Sequence, residues 1–258
     1  MLSYTTHLNS PEKPWVTFVH GAGGSSTIWF KQIRPFKEAF NVLLIDLRGH
    51  GNSKKAKKTS FNYNFDLVTK DVLDVLDALQ IKDSHFVGIS LGTIIIRNIT
   101  KLHKNRVLSM TMGGAIMKLD IRSQILIQLG MLFKSIIPYM LLYQFFAYII
   151  MPRRNHRNSR KLFVKEARKL DQKEFIKWFK LTAEINPLLR YFRNTDPVIP
   201  TLYIMGKQDH LFLPSIQKIT DSHKMASLEI IKKCGHVVNI ERPHIFNKKV
   251  ISFLTSVN

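Results

Sequence analysis

The chain has 258 residues, with 39 Lys and Arg against 18 Asp and Glu and a formal net charge of +21. That length buries one good core, so one domain with an inserted subdomain is expected rather than two independent domains. A hydrophobic share of 45% with 17 Phe excludes a disordered chain, and the single cysteine, Cys234, excludes an internal disulfide.

Residues 1–10 lack the basic-then-apolar pattern of a signal peptide, so a cytoplasmic location is the expectation. Strand candidates then recur along the chain: Tyr4 to Leu8, Trp15 to Val19, Val42 to Asp46, His85 to Ile89, Val107 to Met112, Thr201 to Met205 and Leu228 to Ile231. Several are continuous apolar runs, as parallel strands covered on both faces require. Helical patterns fall between them. In Asp66 to Leu79, a stripe of Leu67, Val72, Val75, Leu76 and Leu79 opposes Asp71, Asp74 and Asp77. A last helix is predicted from Pro243 to Thr255, with proline in its first turn. This alternation predicts an α/β fold with a mostly parallel, doubly wound sheet of about seven strands.

The alternation stops between Ala115 and Pro200 and resumes at Thr201. The predicted division is therefore a core of residues 1–114 and 200–258 with a helical cap, residues 115–199, inserted over the carboxyl ends of the strands, where ligands bind in open α/β sheets. Between Ile125 and Met151 the only charged residue is Lys134. Gln128, Lys134, Pro138 and Gln144 interrupt this run, so cap helices lining an apolar pocket are expected rather than a transmembrane span. Arg153, Arg154, His156, Arg157, Arg160 and Lys161 follow directly. Together the apolar run and the basic run make an anionic membrane surface a candidate partner. A solvated lysine-rich surface is the plain reading of the charge. No recognition motif for nucleic acid accompanies it, so none is expected as a partner.

Chemistry concentrates in short motifs. Gly88-Ile89-Ser90-Leu91-Gly92 matches the nucleophile-elbow pattern G-x-S-x-G, with a short strand before it and a helix-competent segment from Thr93 to His103 after it. The flanking glycines answer the tightness of such a turn. His20-Gly21-Ala22-Gly23-Gly24 follows an apolar strand, and Asp209 and His236 come later, in the chain order Ser, Asp, His. With Asp46-Leu47-Arg48-Gly49-His50-Gly51, Gly206-Lys207-Gln208-Asp209 and Cys234-Gly235-His236, these stretches resemble the α/β-hydrolase family in its compact form with a helical cap, over nearly the whole chain.

The resemblance implies a serine hydrolase. Ser90 is the candidate nucleophile, against a competing reading as a helix N-cap. His236 is the candidate base, preferred over His7, His20, His50, His85, His103, His156, His210, His223 and His244. Asp209 is the candidate orienting acid, with Asp120, Asp196 and Asp221 as rivals. The backbone N–H groups of Ala22 and Leu91 are the candidate oxyanion hole, with Gly23 as a second choice for Ala22. The Asp46 to Gly51 stretch is expected to brace the turn, and Cys234 to be a small buried side chain. No metal-ligand spacing is present, and no cofactor is expected.

Three function classes stay open. The first is hydrolysis of a small-molecule carboxylic ester or thioester with an apolar moiety, through an acyl-enzyme. The second is C–C bond hydrolysis or an elimination on a carboxylate-bearing metabolite by the same triad, motivated by the positive charge. The third is a membrane-surface binding protein with weak hydrolase activity. A serine at the elbow, where the resemblance would call for aspartate in an epoxide hydrolase or haloalkane dehalogenase, argues against those two activities.

Overall fold

The computed structural model describes residues 1–55, 63–133, 137–183 and 185–257. Lys134, one of the residues that break the apolar run, lies outside them. Seven strands form one sheet: β1 (Tyr4–His7), β2 (Trp15–Val19), β3 (Asn41–Ile45), β4 (Ser84–Ile89), β5 (Val107–Gly113), β6 (Thr201–Gly206) and β7 (Ala226–Ile231). Their order is β1-β3-β2-β4-β5-β6-β7; β1 runs antiparallel to β3 and every other pair is parallel.

The central strands are buried on both faces, and their side chains divide by parity. Leu43, Ile45 and Phe86 enter one core, with α2 (Phe65–Ala78) and α3 (Leu91–Leu102) over it. Val42, Leu44, Val87 and Ile89 enter the other, covered by α1 (Phe30–Lys37) and the C-terminal helix Pro243–Ser256. Continuous apolar strands follow from this two-sided burial.

The α2 stripe differs in part from expectation. Phe65, Val68 and Leu73 are buried in it, whereas Leu67 and Leu79 are only half-buried. Asp71 does not face away: its carboxylate takes both Nε and Nη2 of Arg48, each at 2.7 Å. The helix is capped by Asn64, whose side chain accepts from Leu67 N–H at 2.7 Å.

Between β5 and β6 the described residues form five α-helices: α4 (Ile121–Phe133), α5 (Tyr139–Ile150), α6 (Arg157–Ala167), α7 (Gln172–Ala183) and α8 (Ile185–Asn194). After β6 come α9 (Leu213–Thr220), then β7, a single turn α10 (Val238–Glu241) and α11 (Pro243–Ser256).

The register brings the functional loops to one end. Val19 pairs with Gly88, Ile89 with Gly113, Gly113 with Ile204, and Gly206 with Ile231. The loops after β2, β4, β5, β6 and β7 therefore leave the sheet at nearly one level. The β2 connection runs to one side and the β4 connection to the other, which opens a crevice at their carboxyl ends.

Candidate active site

Ser90 sits between β4 and α3 with φ 54° and ψ −120°, a left-handed backbone that a non-glycine residue adopts at a cost of about 1–3 kcal/mol. The surroundings enforce it. A Cβ on Gly92 would stand 2.2 Å from the Val19 carbonyl oxygen, and one on Gly88 would stand 2.6 Å from the Ile96 side chain. Gly92 therefore accepts only glycine, whereas a side chain at Gly88 would need Ile96 to shift. The Ser90 N–H donates to Gly113 O at 3.0 Å, and the Ser90 carbonyl accepts from the Thr93 hydroxyl at 2.6 Å.

Ser90 occupies the N-cap position of α3, but its side chain makes no capping hydrogen bond. Its Oγ lies 2.9 Å from His236 Nε2, and His236 Nδ1 lies 2.8 Å from Asp209 Oδ2. With Nδ1–H donating to the carboxylate, Nε2 carries the lone pair that faces the serine hydroxyl. Asp209 and His236 are each 1% exposed. The other Asp209 oxygen accepts from Phe212 N–H at 3.3 Å.

The loops carrying the acid and the imidazole are zipped by backbone. Lys207 N–H donates to Ile231 O at 2.8 Å, and Gln208 N–H to Cys234 O at 2.9 Å. A Cβ on Gly206 would stand 2.0 Å from Gly235 O, so the two loops meet without room for a side chain. Cys234 is fully buried, as expected, and burial pushes its thiol well above the usual range.

The glycine-rich loop after β2 lies against the serine. A Cβ on Gly21 would stand 3.1 Å from Ser90 Cβ. Gly23 N–H donates to His50 Nε2 at 2.9 Å, so that donor is committed. Among the described residues the Ala22 N–H has no acceptor, which favours Ala22 over Gly23 as an oxyanion donor. Leu91 opens α3, so its N–H has no helical acceptor one turn back.

Two buried histidines brace this loop. His50 accepts from Gly23 N–H at Nε2, and its Nδ1–H donates to Arg48 O at 2.9 Å. His20 accepts from Leu47 N–H at Nε2 (3.0 Å), and its Nδ1–H donates to Gly21 O at 2.8 Å. Each ring is fixed in one neutral tautomer, because a backbone N–H cannot donate to a protonated nitrogen. Burial, and secondarily His20, depresses His50 to about 3; burial also lowers His20. Asp46 accepts from Ser26 N–H (2.6 Å) and Asn52 N–H (2.8 Å), which gives the Asp46 to Gly51 stretch its bracing function.

The rival acids are placed elsewhere. Asp120 accepts from Ser123 N–H at 2.7 Å at the start of α4. Asp196 binds the Val198 and Lys224 N–H groups, and Asp221 closes α9. Among the rival histidines, His85 bonds Ser109 inside the sheet at 2.8 Å, and His103, His210 and His244 are exposed. His223 was expected on an exposed segment but is buried, and burial lowers its pKa.

Over Ser90 lies a cavity of about 190 Å³. Its floor includes Ala22, Ser90 and Leu91; its walls include Phe146, Phe163, Trp178 and Phe179 from the inserted helices. No charged side chain lines it among the described residues.

Sequence reasoning missed the polar links that seat these helices. The Tyr143 hydroxyl donates to Ala22 O at 2.9 Å and packs against Gly23, whose φ is +70°. Ser25 donates to Glu166 at 2.8 Å, and Trp178 Nε1–H donates to Arg48 O at 3.0 Å. Burial works against the Glu166 carboxylate, but bonds from Lys169 and Ser25 hold it below its usual range. His156, buried in spite of its basic surroundings, bonds Gln208 Oε1 at 2.9 Å beside Asp209. The one sequence signal was the glycine at position 23, a place where a large neighbour comes close.

The comparisons agree with this architecture. A sequence profile described as the alpha/beta hydrolase fold matches residues 14–133. The 3-oxoadipate enol-lactonase 1 of Acinetobacter baylyi is 36% identical over 89 residues, covering 34% of this chain and 32% of that protein. The chain thus spans about a third of the length of the enol-lactonases it matches. Human epoxide hydrolase 4 is 22% identical over 263 residues, covering 94% of this chain and 72% of its own. The enol-lactonase structure from Burkholderia xenovorans superposes with a TM-score of 0.81 at 20% identity, covering 98% of this chain and 96% of its own. An esterase from Exiguobacterium antarcticum gives 0.82 at 14% identity, covering 98% and 95%. By strand order and superposition the chain has the α/β-hydrolase fold, and residues 14–133 match the profile of that fold.

Proposed function

We propose that the protein is a serine hydrolase that cleaves a carboxylic ester or thioester with an apolar moiety. Ser90 is the nucleophile, His236 the base, Asp209 the orienting acid, and the N–H groups of Ala22 and Leu91 the oxyanion hole. Residues 115–199 act as the cap that selects what reaches the serine. The observation that carries this reading is the single imidazole bonded to Ser90 Oγ at 2.9 Å and to Asp209 at 2.8 Å.

The Ser90 oxygen attacks the carbonyl carbon as its proton passes to His236 Nε2. The carbonyl oxygen becomes an oxyanion held by the two N–H groups, each worth about 3–4 kcal/mol at the transition state. The intermediate collapses to an acyl-enzyme, and the alcohol or thiol leaves with the proton from His236. Water then attacks with His236 as base, freeing the acid and restoring the serine. Asp209 keeps the imidazole in the required tautomer and stabilises the imidazolium.

The uncharged cavity supports an apolar acyl or alcohol group. It counts against the C–C hydrolase or elimination reading, because a carboxylate-bearing metabolite would need a cationic side chain that these walls do not supply. The enol-lactonase and esterase names among the relatives agree with acyl chemistry; the epoxide hydrolase name does not transfer to an elbow built on serine.

The test is fluorophosphonate labelling, followed by a panel of esters and thioesters of graded chain length. Labelling and turnover that vanish in Ser90→Ala support the reading. Robust ester hydrolysis surviving that substitution overturns it.

A further inference from the structure

Helices α4 and α5 are apolar on both sides. Within α4, Ile127 lines the cavity and Gly130 packs against Phe146 and Phe179. Its other face carries Ile121, Ile125, Leu129 and Leu132, which are 75%, 50%, 48% and 70% exposed. Their spacing of four, four and three residues makes one stripe. Helix α5 repeats the pattern: Leu142, Tyr143 and Ala147 are buried, while Leu141, Phe145 and Tyr148 stand out at i, i+4 and i+7. Isolated exposed leucines are ordinary, but stripes on two successive helices are a surface that needs covering.

The next helix supplies the opposite chemistry. Arg157, Lys161, Lys165 and Arg168 are exposed at i, i+4, i+8 and i+11, so α6 shows a single cationic stripe. With Tyr148 of α5 they line a groove of about 530 Å³ in which no acidic side chain takes part among the described residues. The Arg160 guanidinium stacks over the Tyr148 ring at 5.1 Å and ties the groove to the apolar face. Like charges one turn apart repel, and a bound anion would relieve that repulsion.

We propose that α4, α5 and α6 form a docking surface for an anionic lipid bilayer. The apolar stripes enter the boundary between headgroups and acyl chains, and the α6 groove takes lipid phosphates. Charge complementarity selects this occupant. A second copy of the chain would set a net charge of +21 against another +21. The helices lie in the plane of the interface, because 13 and 12 residues are too few to cross a bilayer. No helix among the described residues is long and apolar enough to span one. The opposite faces of the same helices wall the cavity above Ser90, so an apolar ligand dissolved in the bilayer meets the site from its own solvent. The inference concerns binding and holds whatever reaction Ser90 performs.

The experiment is co-sedimentation of the full chain carrying Ser90→Ala, which keeps lipid intact, with vesicles of phosphatidylcholine alone or mixed with phosphatidylglycerol. Binding is expected on the mixed vesicles at low salt and should weaken as salt is added. Replacing Arg157, Lys161 and Lys165 by Gln should lower partitioning on the order of a hundredfold. Replacing Leu141 and Phe145 by Ser should weaken binding while leaving its salt dependence. All five side chains are exposed, and retained circular dichroism confirms that each variant folds. No binding at low salt overturns the proposal. So does equal binding to both vesicle types, a charge-neutralised variant that binds like its parent, or a self-association that Leu141→Ser/Phe145→Ser abolishes with no vesicle binding.

Discussion

Around Ser90 the chain is held by its own backbone, whereas the inserted helices are held by side chains. At the carboxyl ends of the strands, Gly92 lies against the Val19 carbonyl, Gly206 against that of Gly235, and the elbow is tied to β5 by Ser90 N–H. In the helices above, aromatic rings make the body of the pocket, and single bonds such as Tyr143 to Ala22 and Trp178 to Arg48 set its position. Backbone contacts leave no tolerance for added atoms. Packed side chains can be exchanged at a finite cost, so the chemistry is rigidly specified while the pocket's shape is free to vary with sequence.

The sharpest break of this contrast is at the carboxyl ends of the strands. Asp209→Asn should lower kcat by about 10⁴-fold, since an amide stabilises the wrong imidazole tautomer, while the melting temperature changes little. Steady-state kinetics beside thermal unfolding checks this; a loss below tenfold would mean that Asp209 does not orient the imidazole.

Trp178→Ala attacks the other region. It removes a buried ring that packs against His50 at 5.1 Å and Tyr63 at 5.6 Å. Denaturant titration should show a loss of about 3–5 kcal/mol. The enlarged cavity should move the preferred acyl chain to greater length in a substrate panel.

Acid should loosen the loop after β2 through its buried histidines. His50 is held near 3 and His20 is also lowered, against about 6.5 in the unfolded chain. As pH falls below about 6.5 the unfolded state binds protons that the folded state refuses, so stability drops with acidity. For His50 alone the loss is roughly 1.5–2 kcal/mol by about pH 5. His50→Gln, which keeps an acceptor for Gly23 N–H, should flatten the dependence of melting temperature on pH in this window.

The smallest effect is expected where the two regions touch. Tyr143→Phe deletes only the donor to Ala22 O and should cost about 1 kcal/mol, near fivefold in kcat/KM, with the fold intact. A larger drop would mean that the loop carrying Ala22 depends on the helices for its geometry.

Much of the architecture was legible from local pattern. The strand candidates marked all seven strands to within two residues at either end, and the central ones were the plainest because strands covered on both faces leave little choice of residue. The G-x-S-x-G spacing marked the elbow, although the contact that demands glycine at position 92 is with the Val19 carbonyl, far away in the chain. Elsewhere pattern failed. Asp71 looked like a solvated helix face, and His223 like part of an exposed segment; one pairs with Arg48 and the other is buried, for reasons far away in the chain.

Composition and spacing by themselves determined the fold class, the order of the chemical groups and the apolar-then-basic character of the inserted segment. Only the folded chain decided that Ser90 and His236, 146 positions apart, lie within hydrogen-bond reach. It alone decided that Gly23 spends its N–H on His50, and which face of α4 and α5 meets the pocket. Periodicity constrains a residue against its neighbours along one element. The meeting of separate elements depends on register and on how loops close, and neither is written in any local window of sequence.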